Sequence, residues 1–201
     1  MTAALLALQA LTNLSLAAVG PGLPSGWRLQ RVKGSEAPRF AVTGGHVLRI
    51  EAAAAAGLAT YRLRKPLRPQ AGTLTWVWRT STPLANAALR QRARDDAPVR
   101  AFVTFADGRI LFYTWGNQEG RREHFLSWTG PSRGVMVLER SEDADGSWHM
   151  ERRDPFRDYS LVFDRAPTPI VAVGVSADTD QLGAHALAEV GELTWEADVA
   201  P

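Results

Sequence analysis

Apolar and polar residues alternate along most of the chain, in short runs bounded by Gly, Asn, Asp and Pro. In TLTWVWRT (73–80), Leu74, Trp76 and Trp78 share one face of an extended chain and Val77 takes the other. In VRAFVTF (99–105), Val99, Ala101, Val103 and Phe105 face one way, and Arg100, Phe102 and Thr104 the other. That second face is not uniformly polar, which predicts partial cover. IVAVGVSA (170–177) is apolar nearly throughout, as a central strand buried on both sides should be. Further strands are predicted at 27–32, 39–42, 46–52, 59–64, 109–115, 124–128, 134–140 and 147–152, and within 186–196. The breaks GPGLPSG, ADGR, WGNQEG, TGPSRG and DADG supply positive or fixed φ for turns. Short strands at regular spacing predict an all-β protein, an antiparallel β-sandwich of jelly-roll or lectin-like type. One or two short helices are expected: ANAALRQRAR (85–94), with Leu89 as its apolar contact, and a single turn in DYSLVF (158–163). EAAAAAGL (51–58) has helix propensity but too few large side chains to anchor a helix, so it reads as a loop or strand edge.

The first twenty residues, MTAALLALQALTNLSLAAVG, carry no charge. They lack the basic start of an export signal, yet Ser15-Leu16-Ala17 and Ala18-Val19-Gly20 both fit a small-x-small cleavage site. Residues 1–19 are therefore expected to be a signal peptide or an N-terminal extension, a strand or short helix of the fold being the alternative. Residues 20–198 are expected to form a single β-sandwich domain. Gln9, Thr12, Asn13 and Ser15 make the segment a poor membrane span, and no other stretch is apolar for long enough. A chain of 201 residues with 45% hydrophobic content suffices for one core. Its 23 basic and 21 acidic residues are interleaved, net +2, which leaves no nucleic-acid footprint. The absence of cysteine excludes disulfides, thiolate metal sites and cysteine catalysis.

Six blocks, taken together, carry a family resemblance: GLPSGW (22–27), LTWVWR (74–79), DDAPVRAFVTF (95–105), FYTW (112–115), GSWHMERRDPFRDY (146–159) and VGVSADTD (173–180). In order and spacing the chain resembles the bacterial domain of unknown function 3047, over about residues 20–196. The resemblance implies an exported protein, periplasmic or secreted rather than cytoplasmic, and implies no activity. The chain departs from the family pattern in Phe163-Asp164 after the DY block, in DTDQL at 178–182, and in the short ADGRIL connection between its two central strands.

Several constellations are candidates for chemistry. Asp178 and Asp180 share a face of an extended segment, which suits a cation such as Ca²⁺ or the hydroxyls of a sugar. Asp95 and Asp96 are adjacent and so point opposite ways; pairing with Arg100 competes with Ca²⁺ ligation. Tyr113 and Trp115 share a strand face beside a polar loop and are the predicted stacking platform. Arg100, Glu151, Arg153 and Tyr159 complete a predicted groove for a glycan, in which aromatic rings cover sugar CH faces and polar groups take the hydroxyls. The competing reading makes 145–159 an ion-paired corner, in which a buried Glu151 requires an arginine partner, Arg153 or Arg79. No GxSxG, HExxH or phosphate loop is present, and His46, His124, His149 and His185 show no ligand spacing. The leading expectation is a non-catalytic carbohydrate-binding domain. The alternatives are a glycan hydrolase or lyase using Glu151 with Asp96 or Asp178, and a structural or protein-interaction domain.

Overall fold

The computed structural model describes residues 8–198. Two sheets pack face to face as a jelly-roll β-sandwich. In the first, hydrogen-bonded neighbours link β1 (Gln9–Ala10), β15 (Thr194–Ala197), β7 (Gly72–Thr80), β14 (His185–Val190), β5 (Val47–Ala53), β4 (Arg39–Thr43) and β2 (Gly20–Pro21) in turn. β14 and β15 lie end to end along one edge of β7, and β12 (His149–Arg153) lies along the other. The second sheet runs β10 (His124–Leu126), β11 (Arg133–Glu139), β9 (Ile110–Trp115), β8 (Ala97–Phe105), β13 (Ile170–Asp178), β6 (Ala56–Leu67) and β3 (Trp27–Arg31).

Among the described residues every pairing of these strands is antiparallel except β9 with β11, and an isolated bridge between Glu36 and Ala55 is also parallel. After β9 the chain first lays down β10 at the sheet edge and then returns to fill the gap, so β11 runs in the direction of β9. This is one departure from the wholly antiparallel expectation.

Alternation decides what is buried. Along β7, Leu74, Trp76 and Trp78 turn inward and are at most 1% exposed. They meet Tyr113 and Trp115 from β9. The Trp76–Tyr113 centroids are 5.2 Å apart and those of Trp78–Trp115 5.5 Å, both tilted as aromatic quadrupoles prefer. β13 lies between β6 and β8, and its apolar run is buried on both sides as expected.

Among the described residues one α-helix forms, α1 (Pro155–Phe163). Asp154 caps it by accepting from the Phe156 and Arg157 N–H groups, Pro155 opens it, and Asp164 ends it in the left-handed region at φ 52°. The helix therefore starts three residues before the predicted DYSLVF turn. The helix expected at 85–94 does not form. Leu89 is its only large apolar side chain, and one anchor cannot hold an amphipathic face. A 3-10 turn at Arg92–Arg94 stands there instead, and the Leu89 N–H donates to Glu119 at 2.6 Å. The alanine run 51–58 divides between the end of β5 and the start of β6, with Ala54 at φ 46° in the turn.

The fold takes in most of the segment expected to lie outside it. β1 pairs with Thr194 and Trp195, and the Leu11 N–H donates to Leu193. Leu14 is fully buried, and Asn13 accepts from Trp27 Nε1 at 3.0 Å. Residues 9–14 thus contact the sandwich; residues 1–7 of the expected leader lie outside the described residues. Leu14→Ala should lower unfolding free energy by about 2–5 kcal/mol, measured by urea titration. An unchanged midpoint would show that this segment is dispensable.

Candidate binding cleft on the outer face of the seven-stranded sheet

The alternation that buries Val99, Ala101, Val103 and Phe105 turns Arg100, Phe102 and Thr104 to the outer face of the second sheet. Register aligns them in rows. Thr60, Gly174, Phe102, Phe112 and Val135 form one row across five strands, and Leu58, Ser176 and Arg100 begin the next. Gly174 is a structural necessity in the first row. A Cβ there would lie 2.3 Å from both the Phe102 ring and the Ala59 carbonyl oxygen, so only glycine lets the ring lie down on the sheet. The result is a shallow floor bearing two contiguous cavities of about 490 and 550 Å³, joined at Gln30 and Leu58.

Arg100 organises the deeper end. It is 8% exposed and donates from Nη1 to Asp178 Oδ2 at 3.1 Å, and from Nη2 to the Asp95 carbonyl at 2.7 Å and Oδ1 at 3.2 Å. Asp95 Oδ2 in turn accepts from Trp128 Nε1 at 2.7 Å. Trp128 is 42% exposed and lines the second cavity, with the Arg92 guanidinium 5.4 Å from its ring centroid. A buried arginine thus fixes a carboxylate, and the carboxylate fixes the orientation of an exposed indole.

Asp96 takes partners different from those of Asp95 and accepts from the Leu182 and Gln181 N–H groups. It meets Asp178 and Asp180 instead, each offering an oxygen within 4.8 Å of the others. Three carboxylates are the donor set a hard cation such as Ca²⁺ takes. Asp95 is not among them, because its carboxylate is committed to Arg100 and Trp128. Burial pushes Asp178 up to about 7, with Arg100 opposing and Asp180 adding to the rise. Burial also raises Asp95 and Asp96, against the pull of Arg100 on the first and of backbone N–H donors on the second.

The six predicted ligand residues do not assemble into one groove. Arg100 lines the cleft. Tyr113 and Trp115 face the opposite side of the sheet and are fully buried, so neither can stack on a ligand. Tyr113 Oη donates to Asp158 at 2.9 Å, and Trp115 Nε1 to the Arg140 carbonyl at 2.8 Å. Arg153 grips Asp158 with Nε and Nη2 at 2.9 and 2.6 Å. Tyr159, 1% exposed, donates to Asp107 at 2.6 Å. These partners make 145–159 an ion-paired corner between β12, α1 and the core.

Glu151 finds no arginine, because Arg153 is held by Asp158 and Arg79 by Glu189. It accepts from Trp78 Nε1 at 3.1 Å and lies near the Glu139 carboxylate, whose own oxygens contact Arg121 and His149. Burial, then the Glu139 carboxylate, pushes Glu151 up to about 7.

Trp128 was not among the residues the sequence pointed to. HFLSW reads as strand throughout, but pairing stops at Leu126, and the TGPSRG turn that follows carries the indole out of the sheet. That turn was the available signal. A second exposed indole, Trp148 (43%), lies on the other sheet with the Arg79 guanidinium 4.6 Å from its ring centroid.

A β-sandwich with a concave, polar-edged face now has a family. The chain belongs to DUF3047, described as a protein of unknown function, whose sequence model matches residues 25–194. No curated protein matches it. Among solved structures it is similar to the xyloglucanase domain of NopAA from Sinorhizobium fredii, in complex with cellobiose (11% identity, TM-score 0.48, 90% of this chain and 96% of that one). It is similar also to the xylan-binding module CBM15 (13%, 0.46, 92% and 99%) and to a family 29 carbohydrate-binding module (10%, 0.44, 97% and 99%). It spans only 24% of the chain of an exo-beta-agarase that it also resembles.

The Glu139–Glu151 pair makes a pH prediction. Glu151 holds its proton more tightly folded than unfolded, so its contribution is favourable below its unfolded value of about 4.5 and is lost as pH rises toward 7. Glu151→Gln should therefore raise Tm by several degrees at pH 8 and leave it nearly unchanged at pH 4.5. Equal effects at both pH values would contradict the raised Glu151 carboxyl.

Proposed function

We propose that the outer face of the seven-stranded sheet is a non-catalytic glycan-binding cleft. The observation that supports this most directly is Trp128: an exposed indole at the rim of the cleft, oriented by a hydrogen bond to Asp95. A ring fixed in this way stacks on a sugar's CH face with little loss of side-chain entropy. Gln30, Ser176 and Thr60 supply hydroxyl partners along the floor. The core-facing platform expected from Tyr113 and Trp115 is thereby replaced by one on the opposite face of the same sheet.

Ligand screening by thermal shift tests this, with soluble glycans each in Ca²⁺ and in chelator. A glycan at about a hundred times its Kd adds roughly 2.7 kcal/mol, a shift of a few degrees. Trp128→Ala should abolish that shift, and Trp148→Ala should leave it intact. The reverse pattern would move the site to the other sheet. A shift with Ca²⁺ alone would assign a metal to Asp96, Asp178 and Asp180. Release of reducing ends would make the protein a hydrolase, with Asp95 and Asp178 flanking Arg100 as its carboxylates.

A polymeric ligand fits a protein working outside the cytoplasm, as the family resemblance implies. Export must then leave the chain intact from Gln9 onward, because β1 and Leu14 belong to the core. Mass spectrometry of protein recovered from the periplasm should find residues 9–20 retained; a mature start at residue 18 or 21 would contradict this.

A further inference from the structure

We infer that the ligand of this cleft is an acidic polysaccharide, one whose units carry carboxylate or sulfate groups. The inference rests on the glycan-binding reading and names the class of glycan. The two cavities are lined by six basic side chains and two acidic ones, an excess of four positive charges on a chain whose net charge is only +2. The excess is not spent internally. Asp95 and Asp178 both pair with Arg100, and Arg28, Arg31, Lys33, Arg62 and Arg133 make no ion pair among the described residues.

Placement supports a polymer over a single anion. Arg28 and Arg62 line one cavity, and Arg31, Lys33 and Arg133 line the other. Arg28 and Arg62 stand on the outer face of β3 and β6, one row apart in register, and both are exposed. The cleft crosses six strands, about 24 Å at about 4.8 Å per neighbour, and its unpaired cations stand toward the two ends, Arg28, Arg31, Lys33 and Arg62 on the β3–β6 side and Arg133 on β11. Charge spread in this way matches charge repeated along a chain. The other sheet contrasts with it, since Arg49 and Arg79 there are both bound by the buried Glu189. A nucleic-acid strand fits less well. Successive bases need successive stacking platforms, and here Phe102 is 1% exposed and lies flat over Gly174, which leaves one exposed aromatic ring, Trp128.

The test uses the full chain and isothermal titration against a polyuronate, a sulfated galactan, a neutral xyloglucan and a single-stranded oligothymidine. Each is measured between about 0.01 and 0.15 M salt, over which the screening length falls from about 30 to 8 Å. At least one acidic glycan should bind, at least tenfold more weakly at the higher salt, and the polyuronate and sulfated arms tell which anion is read. Arg28→Gln with Arg62→Gln should weaken that binding about tenfold and leave the Tm of the free protein unchanged, because neither side chain has a partner to lose. Salt-insensitive, Trp128-dependent binding of the neutral glycan would overturn the inference and leave the glycan-binding cleft standing. Oligothymidine binding as tight as that of the acidic glycans would also overturn it, showing a surface for polyanions at large. No binding in any arm would remove both readings.

Discussion

One buried carboxylate ties the molecule together. Asp158, on α1, accepts from Arg153 on β12 and from Tyr113 on β9, so a single side chain joins the helix to both sheets. It is 3% exposed, and burial is tolerable only because each oxygen has a donor and the charge has a guanidinium beside it. The Asp158 hydrogen bond anchors Tyr113 from below, and Tyr113 packs on Trp76. The aromatic core and the charged corner are therefore one assembly. Asp154, four residues earlier, caps the helix that delivers Asp158 to this position.

Filling that core determines the other surface. Each strand of the seven-stranded sheet spends one face on the sandwich, and the residues between are turned outward whatever their character. Phe102 and Phe112 are among them, with ring centroids 5.5 Å apart, which gives the cleft an apolar floor. Arg100 beside them is held on two sides by carboxylates, and the second of these carries the indole of Trp128. The outward polar groups of the cleft are thus organised, whereas the rim cations are not paired. Organised floor and unspent rim charge are the combination that a binding surface needs: orientation at the centre and attraction at the edge.

Most strands were legible in the chain because period-two alternation survives in it directly: Leu74, Trp76 and Trp78 on β7, and Val99 through Phe105 on β8, fall where the pattern places them. The pattern said less about which of the two sheet faces is open. Tyr113 and Trp115 alternate correctly, but whether their face meets the other sheet or the solvent depends on what packs across from it, here Trp76 and Trp78. Trp128 escaped notice for the complementary reason. Its local sequence resembles a strand, but the pairing with β11 ends at Ser127, whose N–H donates to Arg133, and the indole that follows is freed. The partner of Glu151 was misjudged because both candidate arginines are taken by other acids, Arg153 by Asp158 and Arg79 by Glu189.

The sequence by itself determined the fold class and most strand positions, and six blocks of residues carried the family. The fold class and the strands follow from local geometry, a side-chain period of two and the turn chemistry of Gly, Pro, Asn and Asp. Only the tertiary structure decided the parallel run of β11, the entry of Leu14 into the core, the meeting of Asp96 with Asp178 and Asp180, and the cleft itself. These depend on contacts between residues distant in the chain, such as Asp96 with Leu182, or on which strand fills a gap in a sheet. Such contacts are set by packing and by competition among charges in space, and neither is written in the spacing of residues along a chain.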